Sequence, residues 1–264
     1  MSFLLDKKAV VVTGSSGLLG QQFCKVISKS RGLPIMLDID PKGSINNQKE
    51  LIKKKLHPGL FFYCDITNEK QIKKIIKKII AKLNGHKLSG LVNNAAFNPQ
   101  ANKSISNKIE SFKLEKWDKE IEVGLKGAFI CTKIFGSYFA KKKNGSIINI
   151  SSDLGVKGPK QSLYSHLNYI KPVTYSVVKH GIIGLTKYTC TYWAKQNVRC
   201  NTLAPGGVYN NQDKKFLKKI LNEIPAGRMA NVCDFDGILT YLLSDLSKYT
   251  NGSFISVDGG RAIS

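Results

Sequence analysis

The chain has 264 residues, with 41 Lys plus Arg against 18 Asp plus Glu, a net charge of +23. Its 42% hydrophobic content excludes wholesale disorder, and no apolar run reaches the ~18 residues needed to cross a bilayer. The excess charge is lysine, since Arg31, Arg199, Arg228 and Arg261 are the only arginines, and arginine is the side chain suited to bidentate phosphate and guanine recognition; nucleic acid is therefore not an expected partner.

Apolar runs alternate with helical patterns along the chain. Residues 9–13 (AVVVT) predict a strand, followed by a glycine turn and a helix over 18–28. Strands follow at 34–37 and 60–64. Residues 69–83 (EKQIKKIIKKIIAKL) place Ile72, Ile75, Ile76, Ile79, Ile80 and Leu83 on one helical stripe, with lysines on the water face. A strand at 88–92 precedes a polar, loop-like stretch at 97–113. One long helix is predicted within 117–142, a strand at 145–151, a helix at 175–195 and a strand at 198–203. Helical patterns at 213–222 and 233–246 lead to a closing strand at 253–257.

Repeated β-α units imply an α/β fold: one Rossmann-type, doubly wound parallel sheet with helices on both faces. No composition break divides residues 1–264, so a single dinucleotide-binding and catalytic domain is expected. The opening MSFLLDKKAVVV lacks the order of a secretory signal, and a cytoplasmic location is expected. Cysteines 24, 64, 131, 190, 200 and 233 form no CxxC pair and no Cys/His ligand spacing. Reduced thiols and no metal site are expected.

The first strand runs into Thr13-Gly14-Ser15-Ser16-Gly17-Leu18-Leu19-Gly20. Glycines there let the backbone turn tightly and approach a pyrophosphate, whose charge a helix N-terminus stabilises. Asp38 ends the second strand, 18 residues after Gly20. A carboxylate there accepts from a ribose 2′-hydroxyl and repels a 2′-phosphate, so NAD is expected over NADP. Asp40 and Lys42 lie close by, and a plain turn before Pro41 is the simpler reading of Asp38.

With these features the chain resembles the short-chain dehydrogenase/reductase family, in its branch of about 250 residues. The resemblance rests on TGSSGLLG at 13–20, CDIT at 64–67, NNAA at 93–96, NISS at 149–152, YSVVK at 175–179, RCNTLAPGGV at 199–208 and VDGG at 257–260. It implies an NAD-dependent oxidoreductase interconverting a secondary alcohol and a ketone. Ser152, Tyr175 and Lys179 match the catalytic positions. Gly14 to Gly20, Asp38, Asp65, Ile66, Asn93, Ala95, Tyr175, Lys179, Pro205, Gly206 and Val208 match cofactor contacts. Homotetramers or homodimers packed through 117–142 and 175–195 are also implied.

The chemistry agrees with those roles. A free tyrosine, pKa ~10, is a poor base near neutrality. A lysine at i+4 places positive charge beside the phenol and favours phenolate, and a serine hydroxyl steadies charge developing on the reacting oxygen. Tyr164 and Tyr169 compete with Tyr175 for the role, but Asn168 and Val173 stand at their i+4 positions. Choosing Tyr175 leaves about ten extra residues within 153–174. In that insertion Tyr164 and His166 are candidate substrate contacts, or packed aromatics of a surface loop.

Two departures stand out. Gly124 replaces the family's asparagine, which holds a water in the proton relay. A backbone carbonyl there is a substitute, with glycine permitting a helix distortion; an asparagine restored at 124 is expected to leave activity similar or raise it. Gly17 stands one residue earlier than the usual glycine, as in the family's longer, sugar-nucleotide-modifying branch.

The segment 208–230 corresponds to the substrate lid, where Asn210, Asn211 and Arg228 are candidate contacts. Lys214, Lys215, Lys218 and Lys219 there either attract an anion or are solvated. The insertion and this segment resemble a bacterial flagellin-modification and polysaccharide-cluster subgroup. That implies a sugar or sugar-phosphate substrate, an anionic derivative among them, in surface glycan synthesis. An NADPH-dependent 3-ketoacyl-carrier-protein reductase and a non-catalytic nucleotide-binding protein are the alternatives.

Overall fold

The protein, seen in a computed structural model, is described over residues 4–97 and 107–264. Seven strands form one sheet in the order β3-β2-β1-β4-β5-β6-β7, and every pairing is parallel. They are β1 Lys8–Thr13, β2 Leu33–Asp38, β3 Leu60–Tyr63, β4 Lys87–Asn93, β5 Gly145–Ile150, β6 Val198–Pro205 and β7 Phe254–Val257. The helices are α1 Leu18–Lys29, α2 Pro41–Lys53, α3 Glu69–Ala81, α4 Leu114–Ile121, α5 Gly127–Lys142, α6 Val173–Trp193, α7 Lys214–Leu221 and α8 Asp236–Leu243. The chain moves outward from β1 in both directions, so β1 and β4 flank the topological switch point. Ligands of such sheets bind beyond the carboxyl ends of the strands there.

The unbroken apolar run of β1 has a direct cause: both faces are covered. Ala9 and Val11 point into a core with Ile72, Ile75 and Ile79 of α3 and Ile130, Phe135 and Phe139 of α5. Val10 and Val12 point into the opposite core, with Phe23 and Ile27 of α1 and Phe235, Leu239 and Leu242 at α8. Each of these fully buried side chains contributes about 1.5–3 kcal/mol over its exposed state. The lysines of α3 stay in water, as the stripe predicts. Cys24, Cys64, Cys131 and Cys200 are core side chains, and burial pushes the Cys24 and Cys64 thiols up to about 12.

The structure adds α2, which the hydrophobic pattern does not show. Its buried residues are Ser44, Asn47 and Leu51, too polar for an apolar stripe. What starts it is local: Asp40 accepts from the Gly43 N–H at 3.0 Å, and Pro41 opens the first turn. The helix predicted within 117–142 is three pieces. A π-helical turn over Glu122–Lys126, with Gly124 at its centre, separates α4 from α5. The insertion is mostly short 3-10 turns, at Asp153–Gly155 and Gln161–Leu167. Part of the loop at 97–113 lies outside the described residues. Among the described residues no helix is long and apolar enough to cross a membrane.

Candidate active site

The glycine turn is built around close backbone contacts. Gly14 has φ +62, and a Cβ on it would stand 2.8 Å from Ala95 Cα. A Cβ on Gly20 would stand 2.1 Å from the Gly14 carbonyl oxygen. Gly17 caps α1 without any side-chain hydrogen bond, and the first turn holds no acidic residue. Leu18 and Leu19 thus open a helix whose N-terminus faces the crevice free of competing anions. The Ser15 hydroxyl is buried without a hydrogen-bond partner among the described residues.

Asp38 sits at the end of β2 and braces this turn. One carboxylate oxygen accepts from the Ser16 N–H at 2.7 Å, the other from the Asp40 N–H at 2.9 Å. The Ser16 hydroxyl in turn donates to the Asp40 carbonyl at 3.1 Å. Asp38 therefore also has a structural task, beyond a plain turn. On the far side, Asn94 donates to the carbonyls of Thr13 and Gly14, each at 3.0 Å. This ties the NNAA segment to the glycine turn and sets Ala95 against Gly14. Asn93 is buried and donates to Thr132 at 2.9 Å and to Asn149 at 2.7 Å. Asp65 accepts from the Thr67 N–H and hydroxyl at 2.9 and 2.7 Å, while Ile66 packs in the core.

Ser152 follows β5, and Tyr175 and Lys179 lie one turn apart at the start of α6. The fold brings the three together. Tyr175 and Ser152 are hydrogen-bonded through their side chains. The Lys179 ammonium donates to the Ile150 carbonyl at 2.9 Å and stands 5.8 Å from the Tyr175 ring centre. Tyr164 and Tyr169 stack on one another at 5.5 Å, and Tyr164 lies against Phe216 at 5.4 Å.

The electrostatics differ from the expectation that Lys179 makes phenolate near neutrality. Burial pushes the Tyr175 phenol up to about 12, against a smaller lowering by the Ser152 hydrogen bond. Burial, then the nearby Lys171 charge, pulls the Lys179 ammonium down to about 8. Desolvation outweighs the pairing in the protein alone.

Several neighbours carry no family motif. Lys171 Nζ lies 3.8 Å over the Tyr175 ring, and burial pulls it down to about 8. Ser152 donates to Asp153 at 2.8 Å. Asp153 is in turn paired with Arg261, both almost fully buried. The chain's end is thereby locked behind the serine. Glu120 of α4 is also buried and accepts from the Thr174 hydroxyl. Sequence reading missed Asn94, Glu120, Asp153, Lys171 and Arg261. The one signal was charge type: acids and bases at positions flanked by apolar helix or strand residues.

Gly124 has a further constraint. A Cβ there would stand 2.7 Å from Val178 Cγ1 and 3.2 Å from Cγ2. Val178 already fills the space beside the π turn, which overturns the expectation that asparagine at 124 is tolerated.

Pro205 ends β6, and the Gly206 N–H donates to Val257 at 3.0 Å. A Cβ on Gly206 would stand 2.6 Å from Asp258 Cα. Val208 forms a bridge with Ala230, closing the base of the 208–230 segment. Within it α7 buries Phe216 and Ile220 against Leu163 of the insertion. His166 pairs with Asp213 at 2.8 Å across the same contact. Asn210 and Asn211 are exposed. Arg228 is exposed too and is held by Asp234 at 2.6 Å, beside α8. Lys214, Lys215 and Lys218 are solvated, and Lys219 donates to the Ser162 carbonyl at 3.1 Å.

A family profile described as enoyl-(acyl carrier protein) reductase matches residues 29–262. The chain belongs to the short-chain dehydrogenase/reductase family. Flagellin modification protein A of Campylobacter coli is 31% identical over 97% of this chain and 99% of its own length. A 3-oxoacyl-[acyl-carrier-protein] reductase of Thermotoga maritima is 30% identical over 98% and 99%. Among solved structures, a Leptospira borgpetersenii short-chain dehydrogenase with bound NAD+ has a TM-score of 0.82 at 28% identity, covering 98% and 94% of the two chains. A Burkholderia cenocepacia gluconate 5-dehydrogenase in complex with NADP and tartrate has 0.86 at 22%, covering 100% and 98%. This family member is an oxidoreductase acting on CH–OH groups.

Proposed function

We propose that this short-chain dehydrogenase/reductase uses NAD to interconvert a secondary alcohol and a ketone on a sugar or sugar-phosphate derivative. The observation that carries the reading is the meeting of Ser152, Tyr175 and Lys179 at the crevice the glycine turn opens. The cradle fits a dinucleotide: side chains are excluded at Gly14 and Gly20, the N-terminus of α1 faces it, and Ser15 has an unpaired hydroxyl. A bound nicotinamide dinucleotide supplies the hydride acceptor or donor. Gly14 to Gly20 hold its pyrophosphate, and Asp38 holds the adenosine ribose. Asp65, Ile66, Asn93, Ala95, Pro205, Gly206 and Val208 line the rest.

Tyr175 exchanges the proton of the reacting hydroxyl, and Ser152 holds its oxygen. Lys179 keeps positive charge beside the phenol. A phenol raised to about 12 is ready to donate, which suits ketone reduction in the protein as it stands. Alcohol oxidation needs the further positive charge of an oxidised nicotinamide.

A polar substrate fits the walls. Tyr164, Lys171 and the Asp153–Arg261 pair surround Tyr175, and Asn210 and Asn211 stand exposed on the covering segment. The likeness to flagellin modification protein A supports a glycan precursor. The 3-oxoacyl-[acyl-carrier-protein] reductase likeness is nearly equal and carries the second reading; Asp38 weighs against its NADPH form. Phe129, Tyr188 and Tyr192 are exposed on α5 and α6, faces that a homodimer or homotetramer would cover.

The test is a turnover screen with NAD(H) and NADP(H) over D-gluconate, phosphorylated sugars, nucleotide-linked sugars and an acetoacetyl thioester. Sugar turnover with NADH supports the proposal, and preferential thioester reduction with NADPH replaces it. Tyr175→Phe should lower the turnover found by about a hundredfold or more while NADH still binds. Retained turnover would put the chemistry elsewhere.

A further inference from the structure

A proton released at Tyr175 or Lys179 needs a way to solvent. Lys179 is 6% exposed, and its ammonium donates to a backbone carbonyl that takes up no proton. Beside these two side chains lies a cavity of about 10 Å³, walled also by Gly124, Val178, Thr174 and Glu120. That is room for one water. It exists because position 124 has no side chain.

Glu120 is the polar wall of this cavity, and it is 4% exposed. Its Oε2 accepts from Thr174. Its Oε1 is buried with no hydrogen-bond partner among the described residues. A carboxylate oxygen buried without a donor is costly, and a water in the cavity is the donor that removes the cost. Lys116, from the preceding turn of α4, has its ammonium 3.8 Å from Oε1 and its side chain 21% exposed. Lys171 and Tyr169 face Glu120 from the segment before α6, close enough for its charge to act on both. Thr174, Tyr175 and Lys179 face the cavity from α6 itself.

We propose that Glu120, acting through one water in this cavity, is the proton outlet of the Tyr175–Lys179 pair. The proposal rests on the reading of that pair as the proton-transfer machinery. In alcohol oxidation the hydride leaves carbon for the nicotinamide, and the hydroxyl proton goes to Tyr175. The pair then gives one proton to the water, and the water gives one to the Glu120 carboxylate. The acid so formed returns its proton to solvent beside Lys116. Ketone reduction runs the same transfers in reverse. Glu120 touches neither substrate nor cofactor and acts through Lys179 and the water.

NAD+ alone is the probe. A cationic nicotinamide beside Tyr175 favours phenolate, so binding should expel a proton. The full-length protein is mixed with NAD+ by stopped flow at mildly alkaline pH, in weak buffer with an indicator dye. Wild-type protein should release a proton and Tyr175→Phe should not. Glu120→Gln, of the same shape, should bind NAD+ with wild-type affinity but release its proton at least about tenfold more slowly. Added imidazole should restore the rate. Glu120→Asp, which keeps a carboxylate, should be slowed less.

A wild-type release rate in Glu120→Gln overturns the proposal. So does a slowing that imidazole leaves untouched, or one that comes with lost NAD+ affinity, because either marks a structural role. Absence of release from the wild-type protein overturns it as well. Release from Tyr175→Phe at the wild-type rate overturns the reading of Tyr175 instead, so the two failures are distinct.

Discussion

Gly124→Asn is the substitution that best separates family resemblance from the packing of this chain. Its Cβ would stand 2.7 Å from Val178 Cγ1, and Val178 is 5% exposed, with Ala128 and Ile182 behind it. Neither the helix backbone nor this cluster has room to yield freely. Overpacking of this kind costs about 1–3 kcal/mol, and the better helix propensity of asparagine over glycine offsets only a few tenths of that. At ~2.1 cal/mol/K of unfolding entropy per residue, a chain of 264 residues should lose roughly 2–6 °C of melting temperature. Val178→Ala removes both clashing methyls and should cost about 1.5–2 kcal/mol by itself. The double variant should cost less than the sum of the two, with a coupling of about 1 kcal/mol or more. Calorimetric melting of the four proteins measures this directly. A Gly124→Asn melting point within a degree of wild type, or strict additivity in the double variant, would refute the packing argument.

Three further outcomes are expected. NADH should bind at least about tenfold more tightly than NADPH, ~1.4 kcal/mol, and Asp38→Ala should shrink that ratio; equal affinities in the wild type, read by fluorescence titration, would remove Asp38 as the selector. Stability should rise with pH from about 8 to about 10.5, because Lys179 is held at about 8 when folded and returns to 10.5 when unfolded. In that window the unfolded chain binds the extra proton, so raising pH favours folding by on the order of 3 kcal/mol. The Tyr175 phenol works oppositely: raised to about 12 from 10, it makes stability fall between those values. Denaturant unfolding across this range should show the rise, and Lys179→Met should flatten it; an unchanged slope would count against the burial argument. Asp153→Ala leaves the Arg261 guanidinium buried without its counter-charge, which should cost ~3–5 kcal/mol and roughly 5–9 °C of melting temperature. A melting point unmoved in that variant would mean that water reaches the pair.

What the sequence made legible follows from the range over which each signal acts. The strands of the sheet centre are readable because burial on both faces demands an unbroken apolar run, as in residues 9–13. Tyr175 is singled out over Tyr164 and Tyr169 by a lysine one turn away, a relation within a single helix. The glycine turn is equally local, since Gly14 and Gly20 meet the backbone of their own loop and of residue 95. The helix α2 escaped because its buried side chains are Ser44 and Asn47 as well as Leu51. Its starting signal, Asp40 before Pro41, acts over only four residues, and the hydrophobic period carries no trace of it.

The unreadable part of the site is made of pairs that only the fold brings together. Asp153 and Arg261 are 108 residues apart in sequence and become one buried ion pair. Glu120 and Thr174 are 54 apart, and Gly124 meets Val178 from a different helix. Read one at a time, each of these charges belongs to a solvated surface, and the missing side chain at 124 reads as a loss. Together they have a different meaning. The glycine opens a water-sized space, Val178 sets its limit, and Glu120 supplies a polar wall that an asparagine at 124 would no longer need to provide. Substitutions at 120, 124 and 178 should therefore be tested jointly, because the effect of each depends on the volume and charge left by the other two.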